Sequence, residues 1–267
     1  MFERENIREA AVSGAFYPSD PNALAEWVAK QDCSRESAPG RIRAWIAPHA
    51  GYVYSGQLAA ATYAGVDRAD RVWLLGPSHH VYLSHPVTSD HTAWRTPLGD
   101  AVVDTETVSA LVSAGRLGVD ADAHAPEHAL ETQLPFLQGK LPGVPFVPIL
   151  TASTDSDRLA DMLKSCWRDG DVLAVSSDLS HFLTDGAART RDAQTAAAIE
   201  SGDLAAVVGD GACGWVAVRT LMRLAAAFGW KMKRVGLMNS AAVSGDRQRV
   251  VGYGGWWFYE AEVRDDG

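Results

Sequence analysis

The sequence predicts an α/β fold of three layers, with a mostly parallel central sheet and helices on both faces. Three observations carry that expectation. Short runs rich in Val, Ile, Leu and Trp read as strands buried on both faces, since a covered parallel sheet makes its strands continuously apolar rather than alternating. Segments with helix-start signals lie between them. Strand alternating with helix favours crossover connections and therefore parallel pairing. The 267 residues are 47% apolar and 21% charged, a balance that suits a substantial core. No fixed-period repeat or low-complexity linker divides them, so 1–267 is expected to form one domain.

Taken in order, Asp20-Pro21 opens a helix over Asn22–Gln31, and the polar stretch from Asp32 to Gly40 is a loop. Ile42–Ala47 is the first strand, and Ser55 is a cap candidate for a helix over Gln57–Val66. Arg71–Leu75 is the second strand. Asp104 opens a helix over Thr105–Ser113, and Pro126-Glu127 opens one over His128–Leu137. Phe146–Leu150 is a strand, Thr154-Asp155 precedes a helix over Asp157–Trp167, and Val172–Ser176 is a strand. Helices over Ala187–Ser201 and Trp215–Phe228 follow, then a strand at Arg234–Met238 and one or two strands within Val250–Val263. The last residues, Arg264 to Gly267, are expected to fray.

The charge balance narrows the possible functions. Lys and Arg number 24 against 33 Asp and Glu, a formal net charge of −9, which argues against nucleic acid as a partner. Three cysteines, Cys33, Cys166 and Cys213, form no CxxC pair and fit a reducing compartment. The N-terminus has no apolar signal-like run, and no stretch approaches the roughly 18–20 apolar residues of a membrane span. A cytoplasmic protein without a membrane partner is the expectation.

In such sheets ligands bind beyond the carboxyl ends of the strands, and three predicted strands end in histidine-bearing loops. Ile46-Ala47-Pro48-His49-Ala50-Gly51 runs from strand into a stiffened exit, then His49. Leu75-Gly76-Pro77-Ser78-His79-His80 repeats the design. Neighbouring side chains of an extended loop point to opposite sides, so one histidine of that pair faces the site. Val175-Ser176-Ser177-Asp178-Leu179-Ser180-His181 sets a carboxylate near an imidazole, where it could fix a tautomer or cap the following turn. Near Glu127 the spacing leaves alternatives open. Glu127 and Glu131 share a helical face, either solvated or ligating, and His124 and His128 have a spacing usable for metal, although HExxH is absent. Cys213, flanked by glycine at a helix start, is either a thiol of lowered pKa or a structural one. Cys33 and Cys166 are read as structural, and His85 and His91 receive no role. No GxGxxG, Walker A or GxSxG motif is present, so nucleotide binding and α/β-hydrolase chemistry have no support.

The blocks Ala47-Pro48-His49-Ala50-Gly51-Tyr52, Gly76-Pro77-Ser78-His79-His80, Glu127-His128 with Glu131, and Ser176-Ser177-Asp178 with His181 stand in an order that resembles the Memo family, whose prokaryotic members are called AmmeMemoRadiSam system protein B. Arg8-Glu9-Ala10 with Phe16-Tyr17, Arg95-Thr96-Pro97-Leu98-Gly99 and Cys213-Gly214 extend the resemblance over nearly the whole chain. It implies a fold like that of class III (LigB-type) extradiol dioxygenases and a pocket holding one transition-metal ion, Fe(II) or Cu foremost and Zn as a further option. Carried over, the resemblance makes His49, His79 and Cys213 the metal ligands and His181 with Asp178 the proton-handling pair, while His80, Glu127 and His128 line the pocket. It also implies partnership with a radical SAM protein and an AMMECR-type protein, and an unidentified small-molecule or peptide ligand. Three functions remain open: a non-haem metal-dependent oxidoreductase, a metal-free Cys213/His181/Asp178 thiol hydrolase, and a peptide- or protein-binding module that keeps the pocket without turnover.

Overall fold

The computed structural model describes residues 6–30, 38–152 and 156–261. Its strands are β1 (Ile7–Arg8), β2 (Gly40–Ala47), β3 (Arg71–Pro77), β4 (Val87–Thr88), β5 (Ala93–Thr96), β6 (Gly99–Val102), β7 (Gly118–Val119), β8 (Phe146–Thr151), β9 (Asp171–Ser176), β10 (His181–Leu183), β11 (Lys231–Asn239) and β12 (Val250–Ala261). The large sheet runs β10-β12-β2-β9-β3-β8-β4-β7, with β11 paired to β12, and a small sheet runs β1-β5-β6. At its centre β2, β9, β3 and β8 are parallel. Every residue of β3, β8 and β9 is buried, which is why they read as continuous apolar runs. The stretch beginning at Val250 is a single strand, antiparallel to β2, so the parallel centre carries an antiparallel border.

The helices over Thr105–Ser113 and Trp215–Phe228 have the predicted bounds, and the Asp104 carboxylate accepts the Thr107 amide as an N-cap. Other expectations need correction. The helix predicted over His128–Leu137 is two, His128–Glu131 and Leu134–Lys140, with Pro135 in the first turn of the second, a position where its missing N–H is harmless. Ser55 caps nothing. It lies in a π-helical turn, Tyr52–Gly56, its hydroxyl donates to Ala50 O, and the helix Gln57–Ala64 follows directly. The short strands β1, β4 to β7 and β10 are too brief to show a period. The Thr154-Asp155 start signal, Cys33, most of the Asp32–Gly40 loop and the C-terminal tail lie outside the described residues.

The core is continuous and includes five fully buried tryptophans, Trp45, Trp73, Trp94, Trp256 and Trp257. Among the described residues no helix is long and apolar enough to cross a membrane.

Candidate metal centre

Register brings the predicted loops together. Ala47 pairs with Ser176 and Leu75 with Val175, so the exits of β2, β3 and β9 lie level along one edge, and His49 and His79 leave it side by side. A third imidazole comes from His128, the first residue of the short helix behind the Glu127 cap. One ligating atom from each of His49, His79 and His128 lies within 4.8 Å of the others. The ring centroids are 5.2 Å apart for His49 and His79, 5.4 Å for His49 and His128, and 4.6 Å for His79 and His128.

Buried partners orient these rings. The Ser176 hydroxyl lies 2.8 Å from His49 Nδ1. It donates its one proton to Ala129 O at 2.6 Å and accepts from Gln133 Nε2 at 3.1 Å. Gln133 is itself fixed, since Nε2 also donates to Pro48 O and Oε1 accepts the Tyr63 hydroxyl. Ser176 therefore accepts from His49, which assigns the proton to Nδ1 and leaves a lone pair on Nε2. On the other side the Glu127 carboxylate accepts the His79 amide at 2.6 Å, the His79 Nδ1–H at 2.9 Å and the Ala129 amide at 2.8 Å. His79 Nε2 is thus also bare. His128 Nδ1 lies 3.3 Å from the same carboxylate. A carboxylate behind the imidazole is the usual means of orienting a metal-ligating histidine.

The electrostatics keep the His49 and His128 rings neutral. Burial, with His79 nearby, lowers the His49 pKa to about 3, and burial with His49 nearby lowers that of His128 to about 4. Burial opposes the charge on Glu127, but the His79 hydrogen bonds prevail and hold its pKa down to about 2. Neutral imidazoles beside a fixed carboxylate form a donor set able to accept a cation near neutral pH.

The remaining candidates surround this trio. The Cys213 Sγ is 3.4 Å from His49 Nε2 and 3.6 Å from Asp178 O. Its thiol is not lowered as a helix-start position had suggested, because burial and the Asp178 carboxyl push it up to about 12. Gly214 permits this approach, since a Cβ there would lie 2.7 Å from Ser176 O. Asp178 accepts the His49 amide at 2.8 Å, and burial raises its pKa. His181 donates from Nδ1 to Leu179 O at 2.9 Å, so a backbone carbonyl, not Asp178, orients that ring. His80 is exposed, with its ring centroid 6.3 Å from that of His128. The spacing argument for His124 is overturned. That ring is fully buried, its Nε2 bonds Val87 O, and it packs on Trp94 away from the trio. Glu131 is neither solvated nor at the trio. It pairs with the buried Arg8 at 2.7 Å and accepts the Ala11 and Val12 amides and the Tyr17 hydroxyl.

Sequence reasoning missed the supports. Arg8 donates to the carbonyls of His124, Ala125 and Glu127, clamping the loop that delivers Glu127 and His128, and the Phe16 ring lies against His128. Ser176 and Gln133 were equally unforeseen. The only local signal was a serine ending a buried strand.

Residues 8–257 match the family model described as Memo-like protein. The chain is 32% identical over 261 residues to a MEMO1 family protein of Archaeoglobus fulgidus, covering 93% of this chain and 98% of that one. It is 33% identical to one of Methanosarcina acetivorans (92% and 97% covered) and 34% identical to one of Methanopyrus kandleri (92% and 96% covered). Among solved structures it is similar to an uncharacterized protein of Escherichia coli K12, at 11% identity and a TM-score of 0.49 over 79% of this chain and 99% of that one. The chain belongs to the Memo-like family.

Proposed function

We propose that this member of the Memo-like family is a non-haem metal-dependent oxidoreductase that holds one transition-metal ion on His49, His79 and His128. The observation that supports this is the hydrogen-bonding of the trio: the Nδ1 side of His49 and of His79 is taken by a buried partner, which leaves each Nε2 unprotonated, that of His49 beside the Cys213 sulfur. Imidazole donors suit Fe, Cu and Zn, and a thiol at Cys213 adds a softer donor that favours Cu or Zn. The 3.4 Å from Cys213 Sγ to His49 Nε2 is close to the roughly 3.5 Å that separates nitrogen and sulfur donors sharing one tetrahedral ion. Cys213 is thus placed to act as a fourth ligand. When bound, the ion would supply Lewis acidity or electron transfer to a substrate at its open side.

The protein residues have separate tasks. Glu127 and Ser176 hold the imidazoles in their ligating tautomers. Asp178 fixes the His49 backbone. His181, whose Nε2 is bare once Nδ1 donates to Leu179 O, accepts or returns a proton at the edge of the site. Partnership with a radical SAM protein and an AMMECR-type protein is part of the same proposal. The thiol-hydrolase reading loses support, because Cys213 contacts His49 and not His181 and, with no metal to displace its proton, burial pushes its thiol up to about 12.

The test is metal content after anaerobic purification and reloading with Fe(II), Cu or Zn. Wild type is expected to bind one equivalent and His128→Ala to lose it. Cys213→Ala is expected to keep an ion but shift the preference toward Fe(II). A wild type that takes up none of the three metals overturns the proposal.

A further inference from the structure

Among the described residues Phe182 is the one non-glycine residue with positive φ, at +61°. That region is unfavourable for a bulky side chain and persists only where surrounding structure imposes it. Here the surroundings are clear. β10 pairs with β12 through His181 opposite Val251 and Leu183 opposite Val250, with a register irregularity between them. The Leu179 amide donates to Gly252 O, the Gly252 amide to Ser180 O, and the Ser180 amide to the buried Asp192 carboxylate. The loop is held at both ends, and the strained residue sits between.

The strain gives the core nothing in return, because Phe182 is 60% exposed. Its effect is on direction. Consecutive side chains of a strand point to opposite faces, yet the Phe182 ring lies 5.6 Å from that of His181. The left-handed residue folds it back beside the histidine. The Arg249 guanidinium sits over the Phe182 ring, 4.3 Å from its centroid. A guanidinium stacked by its face keeps its N–H donors, which lie in its plane, available for a bidentate acceptor. Among the described residues no carboxylate pairs with Arg249. On a chain of net charge −9, a preorganised arginine without an acid partner beside the candidate site is a local exception.

We propose that Phe182 and Arg249 select the substrate of this site, a small molecule with a flat apolar body and a carboxylate. The apolar body lies along Phe182 beside His181, and the carboxylate takes the in-plane donors of Arg249. This rests on the functional reading above for the location of the reaction, but the ligand contacts are measurable without a metal.

The experiment titrates the metal-free protein with benzoate and with its neutral analogue benzamide, followed by NMR of backbone amides and the Arg249 Nε–H. Uptake of Fe(II), Cu and Zn is measured separately on the same preparations. Benzoate is expected to shift the Arg249 and Phe182 signals. Arg249→Gln should weaken benzoate roughly ten- to hundredfold and leave benzamide unchanged. Phe182→Gly relieves the backbone strain, so it should keep or raise the thermal midpoint while weakening both ligands. Benzoate binding with no uptake of Fe(II), Cu or Zn would remove the metal reading and uphold this one. Failure of wild type to bind benzoate at millimolar concentration, or equal binding by wild type and Arg249→Gln, overturns it. So does a Phe182→Gly protein that is destabilised but binds normally.

Discussion

The two ends of the central strands contain the same kinds of polar side chain and use them in opposite ways. At the amino end Arg71 and Asp171, level with each other across β3 and β9, form a buried bidentate pair at 3.1 and 2.6 Å. The remaining capacity is filled. Trp73 Nε1 and the Arg168 amide donate to Asp171, and Arg71 also donates to Thr107, Asp104 and Cys166 O. At the carboxyl end His49 and His79 each have Nδ1 fixed by a buried oxygen and Nε2 unprotonated, that of His49 against the Cys213 sulfur. A saturated buried network has no donor or acceptor left to offer and serves specificity or stability. A network satisfied on one side only has donors left to offer a ligand. The contrast marks the trio as a group that could hold an ion, without reference to any relative.

Four measurements would break or sharpen this contrast. The largest effect is expected from Asp171→Ala, which leaves the Arg71 cation buried. Denaturant unfolding should show a loss of about 3–5 kcal/mol, while metal affinity of the folded protein stays within about twofold of wild type. A large loss of affinity would mean that the two ends are coupled.

Next is acid sensitivity of the metal-free protein. His49 and His124 are held near pKa 3 and His128 near 4, against 6.5 for a free imidazole. Between those values the unfolded chain binds the protons and the folded one does not, so this contribution is complete above about pH 6.5 and declines as pH falls toward 4. Each group contributes on the order of 1 kcal/mol per pH unit. His128→Gln should flatten the slope of stability against pH between 6 and 4. An unchanged slope would show that this ring titrates normally.

Third, Glu127→Gln keeps the volume but replaces an acceptor with a donor facing the His79 ring. Metal affinity by competition with a chelator should fall 10- to 100-fold. The smallest effect is expected from Ser176→Ala, which frees the His49 ring to change tautomer. It should weaken metal binding by about tenfold, at the low end of that range, and leave the pH dependence in place. If Ser176→Ala proves worse than Glu127→Gln, the hydroxyl and not the carboxylate is the main support of the trio.

Much of the frame was legible in the chain. Runs such as Arg71–Leu75 and Val172–Ser176 are apolar enough to be recognised as buried strands, Pro48 follows the last residue of β2, and β3 runs on through Gly76 to Pro77. Asp104 and the helix it caps were visible because capping is local. These features follow from dihedral preference and hydrophobic period, which act over a few residues. They determined that the protein is α/β and that His49 and His79 lie in strand-end loops; His181, read as a loop residue too, is instead the first residue of β10. Tertiary structure alone decided which side chains meet and in which protonation state. His128 joins the trio, His124 turns away four residues earlier, and Glu131 is committed to Arg8, although all three sit in one short segment with similar spacing. The decisive contacts join residues 48 apart for His79 and Glu127, 127 for His49 and Ser176, and 129 for His49 and Asp178. Strand register brings such distant residues to one edge. Between parallel strands joined by long crossovers no hairpin turn fixes the register, so the packing of whole layers decides it.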